Sequence, residues 1–207
     1  MPRLILSHVP WLIGLACCIG CSNSPAPLLP PSIDRGAAAA AIAMYDVNSD
    51  GGISGDELKK VPALRASLKS IDKDGDGKIT ANEIENRIAA WKRTGLAIMR
   101  LTAQVRRNGQ PISDAEVKFV PERFLGDALR PALGKTDSSG MTGMQISSEP
   151  DEAGVQLGFY RIQVSKKGPK GEETIPAKYN TESESGVEVY PGEGGSDGVI
   201  VDITPRT

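Results

Sequence analysis

Two stretches, "DVNSDGGISGDE" (Asp46 to Glu57) and "DKDGDGKITANE" (Asp72 to Glu83), place oxygen-bearing side chains at the same offsets, and this repeat constrains the chain more than any other feature. In the second stretch carboxylates stand at positions 1, 3, 5 and 12: Asp72, Asp74, Asp76 and Glu83. Like charges so close repel one another. Such a run is either a solvated acidic surface or a cage in which a cation gathers the carboxylates. The spacing favours the cage. Gly77 at position 6 permits a sharp turn, Lys78 at position 7 offers a backbone carbonyl, and Thr80 at position 9 offers a hydroxyl or orients a water. The first stretch repeats this with Asp46, Asn48 and Asp50 at positions 1, 3 and 5, Gly51 at 6, the Gly52 carbonyl at 7, Ser54 at 9 and Glu57 at 12. A hard cation that collects about six to eight oxygens suits both. The apolar Ile53 and Ile79, each at position 8, can pair the two loops.

Helical signals flank the loops. Ahead of the first, "DRGAAAAAIAMY" supplies Asp34 as a cap and a run of strong helix formers. Between the loops Leu58, Val61, Leu64, Leu68 and Ile71 recur at three and four residues and form one apolar face, with Pro62 ending one short helix and opening the next. Beyond the second loop Ile84, Ile88 and Trp91 continue the pattern. Loops and helices together resemble a pair of EF-hands over residues 36–93. The resemblance implies two calcium sites whose ligands are Asp46, Asn48, Asp50, Gly52, Ser54 and Glu57 in one loop and Asp72, Asp74, Asp76, Lys78, Thr80 and Glu83 in the other. The stretch from Leu58 to Ile71 is too short for two full-length helices and a linker, so the standard four-helix geometry is not expected.

The chain begins "MPRLILSHVPWLIGLACCIGCSNS". Its apolar run is short for a membrane span, is interrupted by His8 and Pro10, and leads into small residues, as an export signal does. All three cysteines lie here, so no disulfide framework with a later partner exists. The segment resembles the lipobox of bacterial lipoproteins, which implies a signal peptide over 1–20 and a diacylglycerol-modified Cys21; Cys17, after "GLA", is the alternative. Residues 21–35 then form a Pro/Ser-rich tether. Ser22 after the cysteine implies, by the same resemblance, the outer membrane.

Near Gly95 the hydrophobic period changes from three-and-four to two, marking a boundary between parts that would each bury their own face. Leu101, Ala103 and Val105 alternate with polar residues, and Asn108-Gly109 gives a hairpin turn. Alternation returns at Ala115, Val117 and Phe119; at Met144 and Ile146; at Tyr160, Ile162 and Val164; at Val187 and Val189; and at Val199, Val201 and Ile203. Short runs of this kind predict an all-β sandwich over 97–205, and the chain as a whole is α+β: a small helical EF-hand pair followed by the sandwich. "NGQPISDAEVKF", "TDSSGMTGMQI" and "GFYRIQVSKKG" resemble, in that order, the landmarks of carboxypeptidase-regulatory-like and transthyretin-like domains. "IPAKYNTES" resembles a segment of bacterial lipoproteins. The resemblance implies a non-catalytic structural or binding module.

Composition narrows the chemistry. The net charge of −2 and an aromatic content of 4% argue against a nucleic-acid surface or stacking platforms for bases. The single histidine, His8, sits in the expected leader, which leaves no Ser-His-Asp or Cys-His constellation and no usual zinc ligands downstream. No enzyme is expected. The reading is a calcium-binding lipoprotein of the cell envelope, exported to the periplasm or cell surface, with an envelope protein or glycan as the partner of its β part. Two alternatives stand beside it. One is a calcium-dependent glycan- or protein-binding module, for which the turn carrying Lys166, Lys167 and Lys170 is a candidate contact; the other is a calcium sensor, although only Met44 and Met99 lie near the helices to line an inducible groove.

Overall fold

The computed structural model describes residues 29–147, 153–191 and 198–204. The expected signal peptide, Cys21 and the first part of the tether lie outside them. No described helix is long and apolar enough to cross a membrane.

The helical part begins with α1 (Ala37–Tyr45), whose Ala37, Ala38 and Ala41 are buried where it packs against a later helix. Asp34 does not cap it directly. Its carboxylate accepts from the Gly36 amide at 2.5 Å and its carbonyl from Ala37, so it shapes the turn before the helix, and Gly36 is the N-cap. After the first loop come β1 (Gly52–Ser54), a 3-10 turn at Glu57–Lys60, α2 (Pro62–Ala66) and α3 (Leu68–Ile71). Pro62 opens α2, where its missing N–H costs nothing. The linker thus folds as three short helical turns instead of two full helices. β2 (Lys78–Thr80) leads into α4 (Ala81–Thr94), the one long amphipathic helix, with Ile84, Ile88 and Trp91 buried. Thr80 and Glu83 close a reciprocal capping box at its start, and Gly95 ends it with φ 68°, a conformation that favours glycine.

The β-rich region contains β3 (Ile98–Met99), β4 (Thr102–Arg107), β5 (Gln110–Pro111), β6 (Glu116–Pro121), β7 (Ala132–Lys135), β8 (Met141–Gly143), β9 (Gln145–Ile146), β10 (Val155–Gln156), β11 (Gly158–Ser165), β12 (Gly186–Val189) and β13 (Val199–Ile203). Two open sheets carry it. One has the order β12-β11-β6-β7-β9; the other joins β13, β4 and β5, with β8 also on β4. Asn108 and Gly109, both at positive φ, make the tight β4–β5 turn that the sequence signals. Ala103, Val105, Val117, Phe119 and Val164 on alternate positions are fully buried, as the period of two requires. β4 and β13 pair in parallel, Val105 opposite Val201, which makes them the exception in an otherwise antiparallel arrangement.

The core does not divide where the hydrophobic period changes. Ile53, Ile79, Ile84 and Trp91 from the helical part and Phe119, Phe159, Tyr160 and Val189 from the sheets belong to one apolar cluster. The Trp91 ring meets Phe159 edge-on at 4.7 Å, and Phe124 lies 6.1 Å from Phe159. α2 lies against β11 and β12. A side chain at Gly186 would begin 2.2 Å from the Pro62 carbonyl carbon and from the Ala63 nitrogen, so the strand reaches the helix only because this residue is glycine. Two buried carboxylates fasten the same seam. Glu188 accepts from the Trp91 indole at 2.8 Å and from Arg87 at 2.5 and 2.9 Å. Glu122 accepts from the Ala63 amide at 3.2 Å, with the Arg161 guanidinium 3.7 Å away.

Candidate metal centre

The two loops are joined back to back by β1 and β2, antiparallel, with Ile53 opposite Ile79 and both fully buried. This fixes the position-8 pairing expected from sequence. Gly51 and Gly77 turn the chain at φ 89° and 84°. Within each loop the carboxylates accept from the loop's own amides. Asp72 takes the N–H of Gly75 at 2.7 Å and of Gly77 at 2.9 Å, and Asp46 takes those of Asp50 and Gly51 at 3.1 and 3.0 Å. Asp76 accepts from the Lys78 amide at 2.8 Å, and Asp74 from Asp76 at 3.3 Å. Asn48 accepts from the Asp50 amide and donates to the Asp50 carboxylate, both at 3.0 Å.

The position-12 glutamates close the rings. Glu83 accepts from the Lys73 amide at 2.8 Å and from the Thr80 amide and hydroxyl at 2.9 Å each. Glu57 accepts from Val47 and Asn48 at 2.8 and 3.2 Å and from Ser54 at 3.0 Å. The Ser54 amide, then those of Asn48 and Val47, hold the Glu57 carboxyl below its usual range. Thr80 is occupied in capping α4, which leaves its backbone and a water as the routes by which position 9 reaches an ion.

The loops differ in one respect that the sequence did not reveal. In the second, Asp72, Asp74 and Asp76 converge, one oxygen of each within 4.8 Å of the others. Three acceptor-only groups that close match a hard cation taking oxygen ligands, so the residues present fit calcium. In the first loop the Lys78 ammonium reaches across and pairs with Asp50 at 2.8 Å. This contact holds the Asp50 carboxyl below its ordinary range. It follows from the strand register, which sets Lys78 opposite Ser54 with its Cβ over Gly52.

A family model described as "EF hand" matches residues 39–62 and 64–88. The two matches cover both loops, most of α1 and the first half of α4, and they support calcium binding or sensing by this region. No curated protein matches the chain. Among solved structures, a leucine-rich repeat protein from Bacteroides thetaiotaomicron aligns at 12% identity and a TM-score of 0.30, over 54% of this chain and 12% of that one.

Proposed function

We propose that the chain is a calcium-binding lipoprotein of the cell envelope, held to the membrane through Cys21, in which two filled loops brace a non-catalytic β module against the helical part. The convergence of Asp72, Asp74 and Asp76 within a segment that matches the EF-hand family carries this reading. The ligands are Asp46, Asn48, Asp50, Gly52, Ser54 and Glu57 in the first loop, and Asp72, Asp74, Asp76, Lys78, Thr80 and Glu83 in the second. The β part acts as a carboxypeptidase-regulatory-like or transthyretin-like sandwich, which the order of its sequence landmarks supports, and it meets an envelope protein or glycan. Lipidation rests on the short apolar leader that ends in cysteine.

Extracellular modules of this kind bind calcium with dissociation constants of about 10⁻⁴ to 10⁻³ M. At a free ion concentration about ten times that constant, each site adds about 1.4 kcal/mol to the folded state, which suits a brace better than a switch. Calorimetry and Trp91 fluorescence test the reading. Trp91 sits on the helix that Glu83 opens, so Glu83→Gln is expected to remove most of the calcium-induced change while Glu57→Gln removes less. Absence of calcium uptake by the unmodified chain at millimolar ion would overturn it. Loss of lipid labelling in Cys21→Ser checks the anchor.

A further inference from the structure

The seam between the helical part and the sheet opens on one side into a cleft of about 590 Å³, within the range of about 300 to 1,000 Å³ typical of small-molecule sites. Ser67 between α2 and α3, Lys69 from α3, Lys73 from the second loop, Arg87 from α4 and Tyr190 beyond β12 line it. Its charged groups are three cations and one carboxylate, and its serine and tyrosine hydroxyls can donate as well as accept. Among the described residues the Lys69 and Lys73 ammonium groups have no hydrogen-bond or ion-pair partner. The Ser67 residue is 7% exposed, yet its hydroxyl has no partner either, although buried hydroxyls ordinarily have one. The Tyr190 hydroxyl is likewise unengaged, while its ring holds the Arg87 guanidinium 4.1 Å from its centre. Glu188 is the one carboxylate on the lining, and it is already satisfied by Arg87, Trp91 and Ser70. It therefore fixes Arg87 in place without meeting the needs of the other donors.

A cleft lined by the exposed Lys69 and Lys73, by Arg87 and by an unpartnered buried hydroxyl is complemented by an oxyanion. A tetrahedral phosphate presents several acceptor oxygens at once, which suits ammonium groups arriving from different elements better than a planar carboxylate does. The space beyond one phosphate accommodates a polar carbon skeleton of sugar size. We propose that this cleft binds a phosphate-bearing small molecule, with Lys69, Lys73 and Arg87 facing the phosphate and the Ser67 hydroxyl donating to it. Lys73 belongs to the second ion loop but is not one of its ligands, and the test runs without calcium, so either reading can fail alone.

Amide NMR of the full-length chain in calcium-free buffer, titrated with glucose-6-phosphate, inorganic phosphate and glucose, tests the proposal. Saturable shifts at Ser67, Lys69, Ser70 and Lys73 are expected with the two phosphates and not with glucose. The double variant Lys69→Gln/Lys73→Gln is expected to weaken binding about tenfold or more, and Ser67→Ala several-fold. Lys167→Gln, in a separate basic turn, should leave it unchanged, and unaltered Trp91 fluorescence in each variant shows that the fold is intact. Vesicles of phosphatidylcholine with and without phosphatidic acid separate a lipid headgroup from a soluble ligand. Shifts of the same amides by phosphatidic acid alone would assign the phosphate to a lipid. No saturable shift with any of the phosphate probes at millimolar concentration, or binding that survives the double variant, would overturn the site.

Discussion

Lys78 illustrates how one side chain sets the balance between the two loops. Its carbonyl belongs to the second loop, but its ammonium neutralises a ligand of the first, so an incoming cation must displace a tethered one at Asp50. Exposed pairs of this kind are weak and screened by salt. Lys78→Met is therefore expected to raise the calcium affinity of the first loop about two- to fivefold, measured by calorimetry in a Glu83→Gln background that isolates it. No change would mean that the pair does not compete with the ion. Glu173 offers a second measurement at this scale. Burial pushes its carboxyl up, but the Ser165 hydroxyl, the amides of Lys166 and Ile175 and the Lys167 ammonium outweigh that and bring it down to about 2. A carboxyl depressed in the folded state stabilises above its unfolded value and loses that contribution as pH falls toward the folded one. The β11 hairpin end is thus expected to weaken between about pH 4.5 and pH 2, and carboxyl NMR that finds Glu173 titrating like a free glutamate would contradict this. The oxygens along each loop were legible because a fixed offset pattern encodes them. The Lys78 contact was not, since it depends on how two strands align.

Among the elements, α2 and β12 depend on each other most. Gly186→Ala places a methyl group against the backbone of Pro62 and Ala63, which cannot rotate away, and is expected to cost about 1 to 3 kcal/mol or more in chemical denaturation. Glu188→Ala removes the acceptor for Trp91 and Arg87 and leaves a guanidinium largely buried and unpaired, a loss of about 3 to 5 kcal/mol, while Glu188→Gln keeps an acceptor and costs less. Equal losses from the two changes would show that a neutral acceptor at this position contributes nothing beside the charge. The long alternating runs, β4, β6 and β11, were readable because their period of two is unbroken. β7 was not. Its "ALGK" contains Gly134, which lacks a side chain because the Thr142 hydroxyl and the Gly143 carbonyl crowd that place, and so carries no hydrophobic signal. The two-residue strands β3 and β10 are too short to show any period.

At the scale of the whole molecule, the change of period at Gly95 reports a change of secondary structure and not a division of the core. A sequence pattern shows which face of an element is apolar, but not which partner covers it. Here Trp91 covers Phe159, and α2 covers β12. The isolated 97–205 segment would expose that face and leave Glu188 and Glu122 without their helical partners, so it is expected to lack a cooperative thermal transition by circular dichroism. A sharp melt of that segment alone would show that the sheets are self-sufficient. The parallel pairing of β4 with β13 carries a consequence for biogenesis. As an exported chain crosses the membrane N-terminus first, β4 arrives early and must wait with one edge open until the distant residues 199–203 follow. Closing so long a loop is slow, and an open edge invites foreign strands. A chain that folds in this order gains from a holding chaperone until Ile203 has followed, and a stop codon placed before Val199 should yield aggregates in place of a shortened fold.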